Sequence, residues 1–196
     1  MNLINLNAFE ILKLFNSNKL SAVEYVSELM SHIKLREPNV QAWAFLNENL
    51  VNSFAKKIDE KRSNNLQKPF AGIPIGIKDI IDTHDFPTEN GSKTCLGRQP
   101  TEDAHLVKLL RENDVIIFGK CVTTEYALSA PGKTKNPNDL ECTPGGSSSG
   151  SAAAVADKMI PTSIGTQTGG SVLRPASFNG IIGFKPTFGS ISRSGI

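Results

Sequence analysis

Cysteine is scarce in this 196-residue chain: Cys95, Cys121 and Cys142 make an odd set without the C-x-x-C spacing of a zinc or redox site. They cannot all pair internally, which sets aside a disulfide-built scaffold and points to a reducing compartment. Long apolar runs are missing too, for no segment approaches the ~18 residues of a membrane span. The opening Met1 to Asn7 has neither a basic start nor an apolar stretch of signal-peptide length. A cytoplasmic protein without membrane contact is expected. Runs of one charge are absent as well: 21 Lys+Arg stand against 19 Asp+Glu, and no direct nucleic-acid surface is expected. Histidine is limited to His32, His84 and His105, all upstream of the serine-rich segments discussed below.

What is present is ordinary globular composition, 39% hydrophobic and 20% charged, enough for one domain with a substantial core. Ala8, Ile11, Leu12 and Phe15 recur at helical spacing. Ser21-Ala22-Val23-Glu24 has the pattern of a capping box opening a second helix, which Glu37-Pro38 should end. A short strand is predicted over Ala42 to Leu46 and a third helix over Leu50 to Lys61. After the polar loop Ser63-Asn64-Asn65, Ile73 to Ile77 reads as a buried strand that ends at Lys78-Asp79. A helix over Asp103 to Asn113 and a strand over Val115 to Phe118 complete a β-loop-α-β succession, which implies α/β architecture with functional loops at strand ends. From Pro131 onward Gly, Ser, Thr and Pro dominate, with an Ala-rich helix at Ser151 to Ala156 and a strand near Thr162 to Thr166.

Two glycine-serine clusters, Gly145 to Ser151 and Gly169-Gly170-Ser171, hold most of the functional information. A flexible linker has this composition, but a linker has no reason to run straight into Ala152-Ala153-Ala154-Val155-Ala156, whose small side chains suit a closely packed helix. A phosphate-binding loop needs lysine where Ser151 stands, and Ala127 to Thr134 lacks the first glycine of the same motif. Gly146-Ser147-Ser148-Ser149-Gly150 also fits G-x-S-x-G, with Ser148 as nucleophile, yet that fold needs a histidine downstream. A chymotrypsin-like chain order is compatible with the histidine positions and argued against by the β-loop-α-β pattern. Lysine is the remaining candidate base, as in serine–lysine catalysis. Such a lysine must be neutral, and an exposed one has a pKa of about 10.4. The apolar run before Lys78 leads it toward burial; the residues alone leave it open between a solvated charge and a base.

Three segments together resemble the amidase signature family: Gly72-Ile73-Pro74-Ile75-Gly76-Ile77-Lys78-Asp79, Pro144 to Ala154, and Thr168-Gly169-Gly170-Ser171, in matching order and spacing. The likeness runs from about Leu20 to the last residue and includes Gly183-Phe184-Lys185-Pro186-Thr187. It implies an α/β/α sandwich around a mixed β-sheet, with residues 1–65 as an N-terminal helical segment packing on the core and 66–196 as the N-terminal half of the catalytic core. It also implies amide-bond hydrolysis through an acyl-enzyme without metal or organic cofactor. By the same resemblance Lys78 is the base, Ser147 a bridging serine after a cis Gly146–Ser147 peptide, and Ser171 the nucleophile. Backbone N–H groups of Thr168, Gly169, Gly170 and Ser171 are the oxyanion donors, and Gly146, Ser148, Gln167 and Arg174 support them.

The sequence departs from the commoner family pattern at Gln167, where aspartate is usual, at Arg174, one position late, and at Ser149, where glycine is usual. Members of the family are longer, so the resemblance implies the N-terminal part of a larger enzyme, with the C-terminal part missing. The expected substrate is a small-molecule amide, with a homodimer left open. The Gln167 form and the divergent segment after Thr123 favour a stand-alone amidase. The alternatives are the glutaminase component of a tRNA-dependent amidotransferase, its A subunit, which would bring partner subunits and tRNA, or a catalytically inactive truncation.

Overall fold

The computed structural model describes residues 2–64 and 68–196 of the chain. Asn65, expected in a polar loop, and the 65/66 boundary lie outside the described residues. Helix α1 spans Ala8–Asn16 and α2 spans Ala22–Val40. Strand β1 follows at Trp43–Leu46, and α3 at Glu48–Ser63. Strand β2 (Pro74–Lys78), α4 (His105–Glu112) and β3 (Ile116–Cys121) come next. Helix α5 (Ser149–Ala156), β4 (Thr162–Ile164) and α6 (Leu173–Asn179) complete the order. The strands form one mixed sheet in the order β1-β3-β2-β4. β1 runs antiparallel to β3, whereas β2 runs parallel to both β3 and β4. The expected α/β class with a mixed sheet is thus present.

The helix starts are set by local chemistry. Ser21 Oγ accepts from Glu24 N while Glu24 accepts from Ser21 N, the capping box read from the sequence. Asp59 of α3 adds a second cap by accepting from Ala22 N and Val23 N, which fastens α3 across the start of α2. Helix α2 continues past the expected stop at Pro38, whose ring the last turn accommodates. The helix ends instead where Gln41 turns left-handed, and the Glu37 carboxylate collects the freed Ala42 and Trp43 N–H groups.

β2 and β3 are buried along their whole length, which explains their unbroken apolar character. Helix α5 packs against both. It starts at Ser149, two residues before the predicted position, because Gly150 and Ser151 already lie against the sheet. Gly150 N donates to Val122 O at 2.9 Å, and a Cβ at Gly150 would fall 2.2 Å from Ala42 O and 2.4 Å from Val122 N. On the other flank, Ser151 Oγ donates to Ile164 O and Ser163 Oγ returns a bond to Ser151 O. β4 ends at Ile164, short of the expected Thr166, and leaves Gly165 to Val172 free to form a loop. Helix α6 has no counterpart among the elements expected from the sequence, and it contains Pro175. This proline lies in the first turn of α6, where its missing N–H has no helical partner to lose.

Gly150→Ala is therefore expected to destabilise the chain by about 1–3 kcal/mol through overpacking. Gly169→Ala, whose Cβ would meet nothing within 4 Å, should leave stability nearly unchanged. Urea unfolding of both variants checks the contrast.

Candidate active site

Lys78 closes β2. Its neighbours Ile75, Ile77 and Ile81 are buried, and Lys78 itself has 0% of its surface exposed. Burial disfavours the ammonium and pulls its pKa down to about 7. Three oxygens surround the amine. Nζ donates to Ser147 Oγ at 2.7 Å and to Thr166 Oγ1 at 2.8 Å, with Thr166 O further away at 3.5 Å.

Ser147 follows a cis peptide bond from Gly146. Arg174 holds the carbonyl of that peptide, donating from Nε at 2.9 Å and from Nη2 at 2.7 Å to Gly146 O. The late position of this arginine therefore still brings its guanidinium to the serine loop. Gln167 Oε1 accepts from Val172 N at 2.8 Å and Leu173 N at 2.9 Å, so it ties the Gly169-Gly170-Ser171 turn to the start of α6. A side chain one methylene longer than aspartate reaches these two donors. Ser148 grips the neighbouring strand end from both sides: its Oγ donates to Thr166 O and accepts from Thr166 N, each at 3.2 Å.

Ser171 is brought beside this cluster by its main chain, for Ser148 N donates to Ser171 O at 3.2 Å. The hydroxyls of Ser147 and Ser171 do not hydrogen-bond to each other in this structure. Among the described residues, the N–H groups of Thr168, Gly169, Gly170 and Ser171 have no hydrogen-bond acceptor, and Thr168 and Gly169 are exposed. Of the expected site residues, Lys78, Ser147, Gly146, Ser148, Gln167, Arg174 and Ser171 thus form one connected constellation, with the 168–170 turn at its rim.

Two participants escaped the sequence reading. Thr166 supplies two of the three oxygens around Lys78 Nζ, and nothing in its local pattern marks it except its place between β4 and the Gln167 turn. Lys120, near the end of β3, is as buried as Lys78. A lysine in the apolar run Ile116 to Cys121 was the available signal. Its ammonium lies 3.3 Å from Asp79 Oδ1. Burial pulls Lys120 down to about 8 and pushes the Asp79 carboxyl up, while their mutual attraction opposes both shifts.

A group able to hold a metal ion is formed by His84, Asp85 and Asp103, whose ligand atoms lie within 4.8 Å of one another. The Arg111 guanidinium already stands there, 2.7 Å from Asp85 Oδ1 and 2.9 Å from Asp103 Oδ2, and supplies the positive charge those carboxylates need. No described helix is long and apolar enough to cross a membrane.

Known proteins share the sequence and fold of this chain. A family model described as Amidase matches residues 24–196. The A subunit of the glutamyl-tRNA(Gln) amidotransferase of Symbiobacterium thermophilum is 43% identical over 97% of this chain and 41% of its own length. Its counterpart from Rhodopirellula baltica is 40% identical over 97% of this chain and 40% of its own. The native peptide amidase of Stenotrophomonas maltophilia superposes with a TM-score of 0.93 at 31% identity, covering 98% of this chain and 42% of that one. The chain thus spans about 40% of the length of the curated relatives it matches. With a family match over most of its length and this fold, the chain belongs to the amidase family.

Proposed function

We propose that this chain carries the nucleophile, relay and base of an enzyme that hydrolyses a carboxylic amide through an acyl-enzyme. The observation that carries the reading is a fully buried amine, Lys78 Nζ, at 2.7 Å from Ser147 Oγ. An amine with a pKa near 7 is half unprotonated at neutral pH, where it serves as a general base.

Ser171 Oγ attacks the amide carbonyl carbon. Its proton passes to Ser147 Oγ, and the proton already on Ser147 passes to neutral Lys78. The Ser171–Ser147 contact closes in the productive complex, as catalytic hydrogen bonds commonly tighten only then. The free N–H groups of the 168–171 turn face the developing oxyanion, a role in which one donor is worth about 100- to 1000-fold in rate. Collapse breaks the C–N bond, and the proton returns from Lys78 through Ser147 to the leaving nitrogen. Water then cleaves the Ser171 ester by the same route, releasing the acid and restoring the serine. Residues 1–65 serve as a packing segment on the catalytic half-core of 66–196 and lend it the edge strand β1. We place the enzyme in the cytoplasm, acting on a small-molecule amide.

A second reading, that the chain belongs to the glutaminase component of a tRNA-dependent amidotransferase, is favoured by the 40–43% identity to such proteins. Glutamine hydrolysis that requires added partner subunits and charged tRNA would select it. Hydrolysis of simple amides by the protein alone would select the stand-alone amidase.

Ser171→Ala is expected to abolish labelling by a fluorophosphonate probe and amide turnover alike. Lys78→Ala should lower the rate by about 100- to 10,000-fold, the usual contribution of a general base. Unchanged labelling in Ser171→Ala refutes the nucleophile. Because the base must be unprotonated, the rate of Ser171 acylation should rise with pH through about 7, following the lowered pKa of Lys78. A rate that climbs only near pH 10 contradicts the assignment.

A further inference from the structure

The chemistry proposed above leaves Lys120 unused, although it is fully buried and its ammonium is densely engaged. Lys120 pairs with Ile77 across the β2–β3 ladder, and Cys121 with Lys78. Side chains alternate along a strand, so Lys120 points to the face opposite the serines. There its Nζ donates to Ile81 O at 2.9 Å, Pro87 O at 3.1 Å and Thr88 Oγ1 at 2.5 Å, and it faces the Asp79 carboxylate.

Asp79 and Ile81 belong to the turn by which the chain leaves Lys78, and Pro87 and Thr88 to the loop that follows, so Lys120 ties the two together. The Lys78 carbonyl accepts from Ile80 N at 2.8 Å and Ile81 N at 3.0 Å, and Asp79 N donates to Cys121 O at 2.8 Å. The Asp79 carboxylate also accepts from Glu89 N at 3.2 Å, which draws the following loop onto the same point. A buried ion pair offers little net stability over an apolar pair of equal volume. What it does impose is geometry, since one ammonium fixes four oxygens at set positions.

Resting on the Lys78–Ser147–Ser171 assignment, we propose that Lys120, together with Asp79, is a positioning residue for the base. It clamps the turn after β2 so that Lys78 Nζ stays within hydrogen-bond distance of Ser147 Oγ. The competing account is a field effect of its charge. The charged groups around Lys120 are Asp79, Asp82 and Arg98, and removing Lys120 would leave them to act on Lys78 directly.

The test is the rate at which a fluorophosphonate labels Ser171 in the full chain, measured against pH for wild type, Lys120→Met and Thr88→Val. Rates are scaled by the folded fraction from near-ultraviolet circular dichroism. Thr88→Val is isosteric and removes one acceptor, so it keeps the proposal testable where Lys120→Met does not fold. A misplacement of about 1 Å costs rates of order 100-fold. We expect labelling per folded molecule to slow about 100-fold in Lys120→Met and about 10-fold in Thr88→Val, with the pH at half-maximal rate unmoved. A wild-type rate in either folded variant overturns the proposal. So does a shifted pH limb at an unchanged plateau, which assigns Lys120 a field effect. Failure of the wild-type chain to label at Ser171 strikes the nucleophile assignment itself, and so is told apart from failure of the clamp.

Discussion

An amine enclosed by protein on every side is the constraint around which this molecule is arranged. Among the described residues, Lys78 Nζ meets only the oxygens of Ser147 and Thr166, and no carboxylate neutralises it. Desolvation then weighs against the charged form. A neutral amine has two N–H donors and one lone pair. The charged amine donates to Ser147 Oγ; once it is neutral, Thr166 Oγ1 and O take its two donors and that bond reverses, with the lone pair left for the Ser147 hydroxyl, the direction of proton flow the proposed chemistry requires. Thr166 thereby decides how the amine is oriented, and Ser148 decides where Thr166 stands.

The surrounding fold can be understood as the means of reaching that enclosure. Lys78 comes from the end of a central strand, and a strand with both faces covered delivers its terminal side chain to a buried site. Gly76 permits this covering: a Cβ there would lie 2.6 Å from both Cys121 Sγ and Ile160 Cδ1. Gly150 and Ala152 to Ala154 let α5 descend onto β2 and β3, and the loop that precedes α5 carries Ser147. Arg174 and Gln167 work from the opposite side, one on the Gly146 carbonyl and the other on the start of α6. Small residues thus set the approach, and long polar side chains hold the two serine loops in register.

Much of this was legible in the sequence wherever the signal was local. The Ser21–Glu24 capping box, the apolar run into Lys78 and the Ala-rich helix each follow from short-range patterning. Errors arose where tertiary partners overrode it. Pro38 sits inside α2 because Glu37 caps the outgoing backbone, and α6 forms around Pro175 because a proline costs little in a first helical turn. At the two departures from the family pattern, Gln167 reaches the start of α6 and Arg174 reaches the Gly146 carbonyl. Thr166 and Lys120 were missed because their significance comes from elements distant in sequence: Thr166 lies 88 residues from the amine it serves. No pattern along the chain encodes that distance.

The central claim is that Lys78 is neutral because it is buried, and its own ionisation is the most direct measure of that. Titration of the Lys78 side chain by nitrogen-15 and carbon-13 NMR, assigned through Lys78→Arg, reads this without any substrate. A midpoint near 7 is expected from the enclosure around Nζ. A midpoint near the ordinary lysine value of about 10.4 would mean that the amine is charged at neutral pH, and the proton route from Ser171 through Ser147 would have no acceptor.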